Sequence, residues 1–145
     1  MRAIILCAQI FFAISTGANE MIDPVTLHMG ENIILDNGLV QLGIREDGNL
    51  QELSLRGGPN LASSGYWNSN GNGYDEQGAP IAQKFAVLKG DAKIVRQSDE
   101  LVEVAFVREP AAPFFFRTAL HYVLRRGEPG FYIYMTAAHD AQMPA

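Results

Sequence analysis

The residues able to move protons or hold ligands are thinly spread along this chain. His28, His121 and His139 stand far apart and show no metal-ligand spacing. His121 alternates with Arg117 in "FFFRTALHYVLRR", a pattern that predicts a surface position on a strand. His28 falls in the lead-in before the first patterned segment. Two acidic pairs, Glu46 with Asp47 and Asp75 with Glu76, raise glycoside chemistry, since paired carboxylates at least about 5 Å apart can hydrolyse a glycosidic bond. Turn preference accounts for the first pair. The second lies in a polar loop that could meet a sugar or a calcium ion, but the spacing of a calcium loop is absent, which favours a solvated loop. The chain also lacks Gly-x-Ser-x-Gly, a Gly-Lys-Ser/Thr phosphate loop, His-Glu-x-x-His and Cys-x-x-Cys, so the cofactor and metal enzymes carrying those motifs drop out and no cofactor or metal is expected.

Aromatic residues are more informative. Tyr66 and Trp67 sit in "RGGPNLASSGYWNSNGNGYDEQGAP", a stretch from 56 to 80 rich in Gly, Asn and Ser. Flat rings beside amides and hydroxyls suit a sugar, with the pyranose face on the ring and its hydroxyls on the polar groups. The alternative is structural: Trp67 plugs one end of the fold and its indole N–H finds a backbone carbonyl. Because the stretch is too polar for a core strand, it reads as an excursion at the rim, and its aromatics favour an ordered loop over a linker.

The elements that must position these residues are strands. From Asn32 onward, apolar segments of strand length are separated by Asn-Gly, Asp-Gly and Gly-Gly, and no long stretch repeats at the helical period. "NIILDNGLVQLGIREDGNLQELSL" predicts strands near 32–35, 39–45 and 49–55, joined by tight turns whose glycines supply positive φ. Later strands are expected in "IAQKFAVLKG", "AKIVRQ", 101–109, 114–124 and 131–138. In 101–109, Val102, Val104 and Phe106 share the face expected to meet the core, with Leu101, Glu103, Ala105 and Val107 opposite. In 114–124, Phe116, Leu120, Tyr122 and Leu124 share one face with Thr118. The expected class is all-β, a sandwich or curved antiparallel sheet without fixed-period repeats.

At the front, "MRAIILCAQIFFAISTGA" places Arg2 before an apolar run that ends in small residues, the layout of a secretory signal peptide over 1–18. The run is shorter than the roughly 20 apolar residues of a spanning helix. The expected location is therefore secreted, extracellular or periplasmic, with no membrane association after cleavage. Cys7 would leave with the signal, and so would Arg2, leaving 10 of the 11 basic residues against 16 acidic ones, a balance of −6. Nucleic acid is disfavoured as a partner, because the sequence shows no clustered basic stretch. An anionic ligand would have to be held by a few local cations.

The order of segments "LDNGLVQLGI", "GNLQELSLRGGPNL", "RGGPNLASSGYWN", "VEVAFVRE" and "RRGEPGFYIYMTAAHDAQMPA" resembles the N-terminal catalytic region of the rhamnogalacturonan lyases of polysaccharide lyase family 4, over 32–145. The "GYW" loop, the "FVR" strand and the "GFYIY…AHD…MPA" ending are its most specific parts. The resemblance implies a galactose-mutarotase-like sandwich, of which 19–145 would be the N-terminal part. It also implies cleavage of the galacturonate–rhamnose backbone of rhamnogalacturonan I, an acidic plant polysaccharide, by β-elimination. That reaction removes the C5 proton of galacturonate while a cation neutralises the adjacent carboxylate, and a base must reach the proton within about 3 Å.

The family's catalytic Lys and His match positions after Ala145, so the resemblance places no catalytic residue in this chain. Arg108, at the matched "F-x-R" position, is the expected partner of the substrate carboxylate, with a plain strand-end arginine as the alternative. Tyr66 and Trp67 are expected to line the groove, and His139 to be a strand-end histidine near the site. Where "NSNGNGYDEQGAP" and "REPAAPFFF" depart from the family pattern, substrate preference stays open. A non-catalytic carbohydrate-binding or mutarotase-like module is the competing reading.

Overall fold

A computed structural model describes residues 6–9 and 22–139, all of it strands, turns and connections without a helix. Three antiparallel sheets form. One holds β2 (Thr26–His28), β3 (Asn32–Asp36), β4 (Val40–Arg45) and β5 (Leu50–Leu55) in that order. A second holds β1 (Leu6–Gln9), β8 (Asp91–Gln97), β9 (Leu101–Arg108), β10 (Arg117–Arg125) and β11 (Phe131–Ala138), in the order β1-β11-β10-β9-β8. The third is a ribbon of β6 (Asn68–Tyr74) and β7 (Pro80–Val87). Leu6–Gln9 fall within the expected leader, whose remaining residues lie outside the described ones, as do 140–145 of the matched ending.

The first two sheets bury one set of side chains between them. Ile33, Leu35, Val40, Leu42 and Ile44 meet Val102, Val104, Phe106, Leu120, Tyr122 and Leu124 in a single cluster. These are the inward positions of alternating strands, and removing each large side chain from water stabilises the fold by about 1.5–3 kcal/mol. Val102, Val104 and Phe106 thus face the core as their alternation predicts, and Leu120, Tyr122 and Leu124 do the same with Thr118.

Turn chemistry sets the registers. Gly48 adopts φ 90°, and a Cβ there would lie 2.8 Å from Phe106 Cγ, so the β4–β5 turn requires glycine for its backbone and for its packing. The expected strands at 32–35, 39–45 and 49–55 appear within a residue of their predicted ends. The turn at Asp36-Asn37-Gly38 does more than reverse the chain. Asn37 is 1% exposed, and its amide donates to Arg125 O at 2.6 Å and Glu128 O at 2.8 Å. Its Oδ1 accepts from the backbone N–H groups of Leu39 and Val40. One side chain therefore joins the β3–β4 turn to the β10–β11 turn of the other sheet.

Two expectations change. The polar stretch 56–80 is not wholly irregular: Asn68–Tyr74 is a strand that pairs with Pro80–Val87. It lacks apolar alternation because the ribbon lies outside the two-layer core, where backbone pairing suffices. The strand expected at 114–124 begins only at Arg117, because Phe114 is buried within a connection instead of a ladder.

Candidate functional site

The ribbon and the connection before β10 form the most ligand-like region. Tyr66 and Phe85 are 59% and 58% exposed, and their rings meet edge to face at 6.4 Å and 82°. Register places Asn70 opposite Phe85 and Asn68 opposite Val87, so exposed asparagines share the solvent face of the ribbon with the aromatic pair. The pair offers apolar ring surface beside amide groups.

Trp67 behaves differently from its neighbour. It is buried in the core, its indole N–H directed at Asp47 O at 3.5 Å, the structural alternative weighed above. Asp47 O also accepts from Gly90 N, and Leu88 N donates to Trp67 O, so the base of the ribbon is knitted to the β4–β5 turn. The Trp67 ring is therefore core, and Tyr66 with Phe85 presents the surface expected of the Tyr66–Trp67 pair.

A cleft of about 640 Å³ opens beside this base, lined by Glu46, Asp47, Lys89, Asp91, Arg108 and Glu109 among others. Arg108 ends β9 and donates to Ala111 O at 2.9 Å, Phe114 O at 2.9 Å and Phe116 O at 3.4 Å. Its first task is thus to shape the 109–116 connection. Burial lowers its pKa from the usual value, yet a guanidinium stays charged in proteins. Three of its five N–H groups go to those carbonyls, which leaves two uncommitted on a residue that lines the cleft.

The expected Glu46–Asp47 turn pair lines the same cleft, where Arg45 reaches Asp47 at 3.7 Å. A second cleft of about 310 Å³ is lined by Asn72, Tyr74, Phe114, Phe115, Phe116 and His139, which brings His139 beside the tip of the ribbon. Gly73 permits that contact: a Cβ there would lie 2.8 Å from Pro113 Cβ, and Tyr74 N donates to Pro113 O at 2.9 Å.

His121 departs from expectation. Instead of an exposed strand position, it holds a half-hidden one, with Nδ1 2.8 Å from Glu103 Oε1 and side chains only 12% and 10% exposed. Tyr134 donates to the same oxygen at 2.5 Å and stacks on the imidazole at 4.2 Å and 10°. Strand alternation located these residues but not their burial. The available signal was Glu103 itself, one carboxylate inside the otherwise apolar "LVEVAFV", which must find partners when buried. Phe85 and Lys89 were also passed over. Among the described residues, no group of three or more His, Cys, Asp or Glu side chains is placed to hold a metal ion.

Compared with protein-family models, curated proteins and solved structures, the chain finds no match. What the geometry defines is an all-β protein of antiparallel sheets, with an exposed aromatic and amide ribbon beside a charged cleft.

Proposed function

We propose that this chain is a secreted carbohydrate-active protein that engages rhamnogalacturonan I, within a galactose-mutarotase-like lyase that breaks the galacturonate–rhamnose bond by β-elimination. The carrying observation is the exposed Tyr66–Phe85 pair on a ribbon face shared with Asn68 and Asn70. Rings and amides so arranged suit a pyranose, and the adjoining cleft offers Lys89 and the remaining N–H groups of Arg108 to a uronate carboxylate. In the elimination, those cations would offset charge as the C5 proton leaves.

The non-catalytic binding module uses the same surface, and the exposed aromatic pair favours it equally, because stacking alone gives affinity. One experiment separates them. The chain, and separately a version extended past Ala145, is titrated with rhamnogalacturonan I oligosaccharides, and unsaturated product is followed by ultraviolet absorbance. Tyr66→Ala with Phe85→Ala should weaken binding about tenfold, on the order of 1.4 kcal/mol, with melting temperature kept. Product from the extended version alone supports the lyase, binding without product from either supports the module, and no binding at all removes both readings.

A further inference from the structure

Apart from Asp91 and Val107, the strand residues on the outer face of the five-stranded sheet take no part in those two clefts. On the outer face of the five-stranded sheet, alternation gathers Glu103 from β9, His121 from β10 and Tyr134 from β11, with Arg96 of β8 in register with Glu103. Arg96, Glu103, His121 and Tyr134 therefore form a row across four neighbouring strands. Lys93 lies opposite Ala105 on the same face.

This row is pre-arranged. Glu103 Oε1 accepts the hydroxyl of Tyr134 and faces His121 Nδ1 at 2.8 Å, a contact in which Nδ1–H is the donor to the carboxylate. That orients the ring and leaves Nε2 without a hydrogen-bond partner among the described residues. Burial, then the hydrogen bond and charge of Glu103, push the Tyr134 pKa up to about 12, against the opposing charge of Arg96, so its hydroxyl stays a donor. The stack with Tyr134 holds the imidazole still.

Charge on this face differs from that of the chain. The protein carries a net −5, whereas the face sets Lys93, Arg96, Arg117 and Arg125 against Asp91, the buried Glu103 and the ion-pair partners Glu109 and Glu128, an even balance. Cations scattered in sequence are thus collected by the sheet. Arg117 is paired with Glu109 and Arg125 with Glu128. Lys93 and Arg96 are exposed and form no ion pair among the described residues.

We propose that this outer face is a second ligand surface that takes an anionic saccharide of the uronate class, with Lys93 and Arg96 meeting its carboxylate and His121 Nε2 accepting one of its hydroxyls. The choice of a saccharide rests on the function proposed above, whereas the anionic requirement rests on this face alone.

Nuclear magnetic resonance of the full chain tests it, with trigalacturonate as the probe and neutral galactotriose as the control. Trigalacturonate should shift the His121 ring and Arg96 side-chain signals together. The double variant Lys93→Ala with Arg96→Ala should weaken that response about tenfold, and galactotriose should leave it unmoved. Shifts confined to Tyr66 and Phe85 overturn the outer site and support the ribbon; shifts confined to His121 and Arg96 support the outer site and overturn the ribbon. Silence at both overturns both, and an equal response to galactotriose overturns the anionic requirement. His121→Gln guards against a folding artefact: it should keep the dispersed spectrum of the parent while losing affinity, and unchanged affinity overturns the role of Nε2.

Discussion

Along β9, Val102, Val104 and Phe106 point into the layer shared with the four-stranded sheet, while Glu103, Ala105 and Val107 point the other way, and both sets are buried. The inner set is closed by apolar packing, with Phe106 meeting Tyr122 edge to face at 5.9 Å. The outer set includes a carboxylate, whose burial is offset by two hydrogen bonds. Alternation therefore says which side chains point together, but it does not say that the side facing away from the core is wet. Depth on the outer face depends on cross-strand partners drawn from segments far apart in sequence.

Breaking the inner face should have the largest effect. Phe106→Ala opens a cavity and removes the packing over Gly48, and it should destabilise the fold by about 3–5 kcal/mol in chemical denaturation. A loss below about 1 kcal/mol would mean that Phe106 does not hold the layers together.

Breaking the outer face should cost less. Glu103→Ala leaves the His121 and Tyr134 donors without their shared acceptor, an expected loss of about 1–3 kcal/mol. Combining it with Tyr134→Phe should cost less than the sum of the two single changes, since both remove one bond. Full additivity would show that the contact carries no energy.

The smallest effect sharpens the comparison through pH. Tyr134 ionises near 10 when unfolded and at about 12 in the fold, so the unfolded chain loses this proton first. The neutral hydroxyl's contribution is complete below pH 10 and is lost as pH rises from about 10 to 12. Tyr122, inside the core and donating to Gly48 O, is likewise raised by burial and then by the charge of Asp47. Tyr134→Phe should flatten part of the alkaline fall in stability measured by circular dichroism, leaving the part due to Tyr122. An unchanged slope would contradict the part-buried donor assigned to Tyr134.

How far the fold was legible follows from where each signal comes from. Strands β3, β4, β5, β9 and β11 were readable because apolar alternation coincides with glycines at obligatory turns, as at Gly38 and Gly48. Asn68–Tyr74 was not, since a strand outside the core needs no apolar face and its asparagines look like loop residues. Trp67 and Tyr66 are neighbours of the same type, and only tertiary packing decided that one is core and the other surface. Arg108 stands out in the sequence at the end of its strand, but its bonds to Ala111, Phe114 and Phe116 depend on a loop path that spacing does not encode.

Asn37 has a mechanical consequence. Its four hydrogen bonds span partners 2, 3, 88 and 91 positions away, so one amide rivets two turns that the chain reaches at opposite ends of its course. Sliding one layer over the other at that corner must break the bonds to Arg125 O and Glu128 O together, while the two local bonds keep the amide in place, and the corner therefore yields abruptly under shear instead of creeping.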